Sequence, residues 1–217
     1  MSFQHPAVDV LKFEHQAKQK GFSFILGVDE AGRGPLAGPV VAAAVALKSY
    51  DFETSVRDSK QLSAAQREKA FQEICHKAHV GVGIINETVI DDINILQATF
   101  VAMTNAVWQL WSRIPGTPEE KKALQQQAYL LVDGNRFKTD LPFAHETIVD
   151  GDALSLSISS ASIVAKVVRD RILKVYHQIL PQYGFMKHKG YPTREHKLAI
   201  QKYGLSFIHR RSFRNVF

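Results

Sequence analysis

The feature that most constrains this chain is an apolar segment that ends in two adjacent acids and a turn rich in glycine and proline. Residues Phe22–Val28 are mainly hydrophobic, and Asp29 and Glu30 follow directly. A short apolar run with such boundaries is typical of a buried strand, so both carboxyl groups emerge where the strand meets solvent. Open α/β sheets place their chemistry at this edge. The loop of residues 32–39 leaves mostly bare backbone beside the acids.

Hydrophobic periodicity predicts an α/β chain that contains both strands and helices. Strands are predicted at Phe22–Val28, Val40–Leu47, Val80–Ile85, Tyr129–Val132 and Thr147–Val149. Helices are predicted at Ser63–Ala78, Asn94–Trp111, Glu119–Gln127, Ser157–Leu180 and Thr193–Tyr203, with a loop at Tyr183–Tyr191. Ser63 and Thr193 have the side chains that cap helix amino termini.

Length and composition indicate one substantial core. The chain has 217 residues, of which 45% are hydrophobic, enough for a single domain with a small appended part. Its one cysteine, Cys75, excludes an internal disulfide and a cysteine-based zinc cage. No apolar run approaches the about 20 residues that span a bilayer. We expect a cytoplasmic protein with no membrane contact, and a monomer.

Positive charge is concentrated at the carboxyl end. Residues 184–217 contain eight Lys or Arg and a single acid, Glu195. Aromatic residues are interleaved with them, namely Phe185, Tyr191, Tyr203 and Phe213. This composition indicates a polyanionic partner such as nucleic acid, with rings available for sugars or bases. The alternative is a cationic end that is merely solvated.

Two further acids are expected to join Asp29 and Glu30. Asp133 follows the predicted strand at Tyr129–Val132. Asp170 shares one face of its predicted helix with Ile163 and Val167, at the spacing i, i+4, i+7. Like charges in one pocket raise each other's pKa, and a divalent cation removes that conflict. Oxygen ligands alone favour Mg²⁺ or Mn²⁺. Two ions roughly 3.5–4 Å apart can support in-line hydrolysis of a phosphodiester.

Two other patterns compete with this interpretation. Gly32–Ala37 matches the dinucleotide-binding fingerprint, with Asp51 and Asp58 near the place of its ribose-binding acid. Pro35 and the Gly38-Pro39 pair disfavour the uninterrupted helix that the fingerprint needs. Alternatively, a metal-free nuclease would use histidines as general acid and base. Three of the nine histidines lie in the basic tail: His188, His196 and His209.

Ordered motifs then give a family resemblance. The chain resembles bacterial ribonuclease HII over nearly everything after residue 22. The segments that carry the resemblance are Gly27–Gly34, Asp58–Leu62, Asn94–Ala98, Val132–Asn135, Ala161–Asp170, Lys187–Thr193 and His209–Phe213. The stretch Arg113–Ala128 is longer than is usual in that family.

The resemblance implies a ribonuclease H-like fold, with a mixed five-stranded sheet, flanking helices and a helical, basic carboxyl-terminal extension. It divides the chain into a catalytic domain at residues 1–180 and a substrate-binding extension at 181–217 within the same globule. It implies a metal-dependent endoribonuclease that cleaves RNA in RNA–DNA hybrids and at ribonucleotides embedded in duplex DNA, leaving 3′-hydroxyl and 5′-phosphate ends. Two Mg²⁺ or Mn²⁺ ions are expected with substrate bound.

The resemblance also implies roles for individual residues. Those matching the family's acidic, metal-binding tetrad are Asp29, Glu30, Asp133 and Asp170. Those matching its substrate-binding positions are Gly32, Arg33, Gly34, Lys60 and Tyr191. The loop of residues 32–39, called the glycine loop below, contains Gly32, Arg33 and Gly34. These three correspond to the segment that reads the 2′-hydroxyl, which distinguishes RNA from DNA. Tyr191 corresponds to the tyrosine that packs on the sugar at the junction.

Two related functions remain as alternatives. The sister enzyme ribonuclease HIII has an additional amino-terminal domain and a different glycine loop, whereas only about 22 residues precede the first predicted strand here. A non-catalytic module that binds hybrids is the second alternative, and four retained acids argue against it.

Overall fold

The computed structural model describes residues 9–56 and 62–214 and contains one five-stranded sheet. The strands are β1 Phe24–Ala31, β2 Val40–Leu47, β3 Ala78–Ile85, β4 Ala128–Asp133 and β5 Ala144–Ile148. Their order is β3-β2-β1-β4-β5. β1, β4 and β5 are parallel, whereas β2 is antiparallel to both β1 and β3. The predicted mixed five-stranded sheet is confirmed.

Eight α-helices lie among the described residues: α1 Lys12–Gln19, α2 Ala64–Lys77, α3 Glu87–Ser112, α4 Pro118–Gln126, α5 Gly151–Leu154, α6 Leu156–Ile179, α7 Phe185–His188 and α8 Arg194–Tyr203. Ser63 caps α2 with a full capping box, and Thr193 caps α8, as predicted. α4 fills most of the long stretch before β4. The predicted loop after α6 instead contains α7 and a 3₁₀ turn at Pro181–Tyr183. No helix of the described chain is long and apolar enough to cross a membrane.

α3 is longer than predicted because a cap signal lies inside it. The helix begins after the cap Asn86, but Asn94 has a positive φ of 66° and interrupts the helical geometry. The Asn94 side chain accepts hydrogen bonds from the amides of Leu96 and Gln97 at 3.0 and 3.1 Å. This is the geometry of an amino-terminal cap, so the sequence pattern predicted a start where the structure has a kink.

The two long helices cover opposite faces of the sheet. α3 packs on β3 and β2, while α6 packs on β1 and β2. In β1, Gly27 allows α6 to approach closely, because a Cβ there would overlap the backbone of Ser157. Close approach of a helix to a strand is one of the few uses that require glycine. It brings the first turns of α6 against the end of β1 that carries the acids.

The segment after α6, residues 180–214, packs on the second half of α6 and reaches the glycine loop. Ala37 from that loop shares a small core with Leu173, Tyr183 and Ile208, among others. Ala37 also forms an isolated antiparallel bridge with His209. A domain boundary between residues 180 and 181 stays a prediction, as do the monomeric state and the cytoplasmic location.

Two buried histidines link this segment to the loop that carries Tyr191. His209 Nδ1 accepts from the amide of Ser206 at 2.9 Å, so its Nε2 carries the proton and donates to His196 Nε2 at 3.1 Å. His196 Nδ1 then donates to the carbonyl oxygen of Tyr191 at 2.9 Å. A proton added to either ring would set two N–H groups against each other. Burial lowers the pKa of each ring to about 4, and the neighbouring rings, including His188, add to the shift.

We predict that His209→Gln flattens the acid dependence of stability. Because the folded pKa lies below the unfolded value, the unfolded chain takes up protons first; stability is full above about pH 6.5 and is lost as pH falls toward 4. Between pH 7.5 and 5, the wild type should lose on the order of 2 kcal/mol more than the variant. Urea unfolding at both pH values measures this. The exposed His76→Gln is the control, and equal slopes for all three proteins would contradict the prediction.

Candidate active site

Three predicted acids meet at the carboxyl ends of β1 and β4. The parallel register pairs Val28 with Val132, so the residues that follow, Asp29 and Asp133, emerge side by side. One carboxylate oxygen each from Asp29, Glu30 and Asp133 lie within 4.8 Å of one another. Parallel pairing of two apolar strands therefore creates the cluster, as the sequence predicted for these three residues.

Hydrogen bonds hold two of these carboxylates in place. Asp29 Oδ1 accepts from the amide of Glu30 at 2.6 Å, and the hydroxyl of Ser162 on α6 also bonds to the Asp29 side chain. Asp133 Oδ1 accepts from the amide of Gly151 at 2.7 Å. Backbone donors fix the orientation of a ligand oxygen without adding a competing charge.

The electrostatics of the cluster favour a bound cation. Burial raises the pKa of Asp29 well above its usual range, and the charges of Glu30 and Asp133 raise it further. Burial also raises the pKa of Glu30, although the guanidinium of Arg33, 3.2 Å away, opposes that shift. Asp29 is only 4% exposed. Buried carboxylates that repel one another lose this conflict when a divalent ion lies between them.

The donor set fits a hard divalent ion. Among the described residues, the only cluster of three His, Cys, Asp or Glu ligands close enough to hold a metal is this one, and all its ligand atoms are carboxylate oxygens. Such oxygens suit Mg²⁺ or Mn²⁺ better than zinc. Asp29, Glu30 and Asp133 would hold the ion.

The structure corrects the expectation for Asp170, which does not lie with the other acids. Its Oδ1 accepts from Lys166 Nζ at 2.7 Å, and it is absent from the residues that line the cavity around Asp29. The cavity-facing stripe of α6 is Ser162, Lys166 and Arg169. It precedes the predicted stripe by one residue, or about 100° around a helix. Ile163 and Val167 are buried in the core on the other side.

Asp152 is the acid that the sequence analysis missed. It follows β5, is 6% exposed and lines the same cavity as Asp29, Glu30 and Asp133. β5 is parallel to β4, so the rule that placed Asp133 at the carboxyl edge of the sheet also applies to the residues after β5. The signal was therefore present, but the short β5 and the irregular turn at Asp150 obscured it.

The predicted substrate residues line the same cavity. Gly32, Arg33, Gly34 and Tyr191 all face it, and Tyr191 is 45% exposed. Gly32 has a φ of 103°, and a Cβ there would overlap the Arg169 side chain, so only glycine fits. Lys60 lies outside the described residues. Two cations that the sequence analysis did not name, Lys166 and Arg67, complete the rim.

We predict that Asp29→Asn stabilises the metal-free protein and abolishes its stabilisation by Mg²⁺. Asparagine keeps an oxygen for the Glu30 amide but removes a buried negative charge. A gain of about 1 kcal/mol would raise Tm by about 2–4 °C at pH 8 in EDTA. The wild type should instead gain Tm as Mg²⁺ is added. Differential scanning fluorimetry measures both, with the exposed Asp140→Asn as control. A wild-type Tm that does not change when Mg²⁺ is added would contradict the prediction.

Known proteins resemble this chain in both sequence and fold. A family model described as Ribonuclease HII matches residues 26–216. Ribonuclease HII of Syntrophus aciditrophicus is 51% identical over 203 residues, which cover 93% of this chain and 89% of that protein. Ribonuclease HII of Ruminiclostridium cellulolyticum is 50% identical over 205 residues, or 94% of this chain and 75% of that protein.

Solved structures show the same architecture. Ribonuclease H2 from Pyrococcus horikoshii OT3 is 27% identical, with a TM-score of 0.67 over 89% of this chain and 95% of that one. Bst-RNase HIII in complex with Mn²⁺ shares the fold at 15% identity, with a TM-score of 0.66 over 100% of this chain and 73% of that one. The predicted ribonuclease H-like fold and the prediction of a metal-dependent endoribonuclease are confirmed. The chain belongs to the ribonuclease HII family.

Proposed function

We propose that this protein hydrolyses the RNA strand of RNA–DNA hybrids and cuts duplex DNA at embedded ribonucleotides, leaving 3′-hydroxyl and 5′-phosphate ends. The observation that carries the proposal is the juxtaposition of two features. The carboxylates of Asp29, Glu30 and Asp133 share one cavity with the glycine loop and Tyr191. A cleavage centre and a sugar-reading surface therefore adjoin.

The acids are proposed to act as metal ligands. With Mg²⁺ or Mn²⁺ bound, and two ions when substrate is present, the site gains a Lewis acid for the phosphate and a means to activate water. Asp29, Glu30 and Asp133 hold that charge in fixed positions. Asp152 is the fourth acid that we propose for the site, in place of Asp170, because it lines the cavity and is buried.

Other residues of the cavity are proposed to bind the substrate itself. Arg33 and Gly34 are exposed on the loop, where a bare backbone can approach a ribose hydroxyl that a side chain would block. The exposed ring of Tyr191 offers a flat surface to the neighbouring sugar. Lys166 at the rim supplies a cation for a phosphate oxygen, and Asp170 orients it.

Contacts in the structure weaken two of the alternatives. In a metal-free mechanism, histidines would exchange protons with substrate, but His196 and His209 are buried and bonded to each other. In a dinucleotide-binding site, the glycine loop should lead directly into a helix. Here residues 32–39 connect two strands and precede no helix. Neither alternative accounts for the carboxylate cluster.

Cleavage of a duplex with one embedded ribonucleotide tests the proposed function. We predict a single cut beside the ribonucleotide in Mg²⁺ or Mn²⁺, none in EDTA and none in the matched all-DNA duplex. End-group analysis should give a 3′-hydroxyl and a 5′-phosphate. Asp29→Asn should still bind the duplex but not cut it, and its affinity should fall as salt rises. Full activity in EDTA would contradict the proposal, as would tight binding without cleavage by the wild type.

Paired variants test which acid completes the site. We predict that Asp152→Asn lowers kcat by about 10²-fold or more, since it removes a charge from the reacting centre. Asp170→Asn should change kcat by less than about fivefold, because a partly exposed ion pair is worth at most about 1 kcal/mol. Both variants should retain the wild-type Tm within a few degrees. The opposite order of the two kcat values would return Asp170 to the site.

A further inference from the structure

The guanidinium of one buried arginine donates its hydrogen bonds to the glycine loop. Arg210 is fully buried, although the sequence placed it in the basic tail. Its N–H groups donate to four carbonyl oxygens of residues 32–38: Gly32 (Nη2, 2.6 Å), Arg33 (Nη1, 3.0 Å), Pro35 (Nη1, 2.8 Å) and Gly38 (Nε, 2.9 Å; Nη2, 2.6 Å). The ring of Phe213 packs on the guanidinium, with its centroid 5.0 Å away.

A buried cation with this arrangement is unusual. Among the described residues Arg210 forms no direct ion pair, and its balancing charges are the carboxylates of Glu87 and Asp91 nearby. Burial and the adjacent Arg169 lower the pKa of Arg210 to about 9, which still leaves it charged at pH 7 to 8. Burying a charge is costly unless hydrogen bonds satisfy it, and here loop carbonyls take that role.

Two of these carbonyls determine where two amides point. The carbonyl of Gly32 shares a peptide unit with the amide of Arg33, and that of Arg33 shares one with the amide of Gly34. Both peptides are trans, so in each of them the N–H points opposite to the C=O of the same peptide unit. Because the two C=O groups point to Arg210, the two N–H groups point away from it. A carbonyl that accepts a charge-assisted bond also polarises the N–H of the same peptide.

These amides are available to a ligand. Arg33 and Gly34 are exposed and line the cavity that contains Asp29. Within residues 9–56 and 62–214, neither amide donates a hydrogen bond to the protein. The loop therefore presents two aligned donors beside the carboxylate cluster, while its carbonyls are bound from behind.

Arg169 forms a second layer that couples this loop to the one carrying Tyr191. Its guanidinium donates to the carbonyls of Pro39 and Ala37 and, on the other side, to that of Lys189, each at 3.0 Å. The amide of Leu36 also donates to the carbonyl of Gly190 at 2.8 Å. The two loops are therefore held in one fixed relation.

We propose that Arg210 is a positioning residue for substrate: it aims and polarises the amides of Arg33 and Gly34 as donors to a substrate oxygen, either a sugar hydroxyl or a backbone phosphate. The inference rests on the proposed function and deepens it. Arg210 itself touches no substrate, because it is fully buried beneath the loop.

Arg210→Lys tests the proposal, since lysine keeps the charge but cannot form the five-donor fork. We expect KM for the single-ribonucleotide duplex to rise about tenfold, the equivalent of about 1.4 kcal/mol, with a smaller change in kcat. The Mn²⁺ concentration that gives half-maximal rate should not change, because the carboxylates are untouched. The matched control is Arg113→Lys, an exposed arginine outside both the extension and the cavity, which should behave as the wild type. A folded Arg210→Lys protein with wild-type KM would overturn the proposal.

A second measurement keeps Arg210 in place and so does not depend on the variant's folding. In ¹⁵N-labelled Asp29→Asn protein, the amide signals of Arg33 and Gly34 should shift when the single-ribonucleotide duplex is added. Shifts with that duplex alone identify a sugar hydroxyl as acceptor, and equal shifts with an all-DNA duplex identify a phosphate. Unmoved signals on saturation with both duplexes would overturn the proposal. Failure of the wild type to cleave would instead count against the proposed function, whereas unmoved amide signals would count against the role proposed for Arg210.

Discussion

Mutual repulsion among buried carboxylates is the constraint on which the functional architecture depends. Parallel pairing of β1 with β4 forces Asp29 and Asp133 to emerge together, and the burial of Asp29 leaves its charge with little water to screen it. The fold tolerates this because backbone amides and a serine hydroxyl hold the oxygens in place. A fold that keeps such a conflict at one sheet edge is organised to receive a divalent cation there.

A complementary arrangement lies a few residues along the chain. The glycine loop has its carbonyls turned toward two buried guanidiniums, those of Arg169 and Arg210. The acids therefore form a centre that attracts cations, and the loop forms a surface of donors that attracts oxygen. Both are organised by backbone geometry and by groups remote from solvent. Preorganisation of this kind lowers the cost of ordering the site when substrate binds.

Much of this could be predicted from local sequence, but features set by helix rotation and tertiary burial could not. Apolar runs and capping residues located the five strands and most helices, and acids at strand ends predicted that Asp29, Glu30 and Asp133 lie close together, as they do. The stripe of α6 was misassigned by one residue, because Ile163, Val164 and Ala165 are all buried and the pattern alone does not fix the rotation. Because of that shift, Asp170 was predicted to face the cavity, whereas Lys166 and Arg169 face it in the structure. Arg210 was predicted to be one of the solvent-facing cations of the basic tail, since nothing in the local sequence distinguishes a buried arginine from a solvated one.

The central claim is that Asp29, Glu30 and Asp133 together hold a divalent ion. The most direct measurement is anomalous X-ray diffraction from crystals of the protein equilibrated with Mn²⁺. The account predicts an anomalous peak within ligand distance of all three carboxylates, about 2.0–2.3 Å from an oxygen of each. An ordered site without a peak, or a peak at Asp170 and away from Asp29, would contradict it.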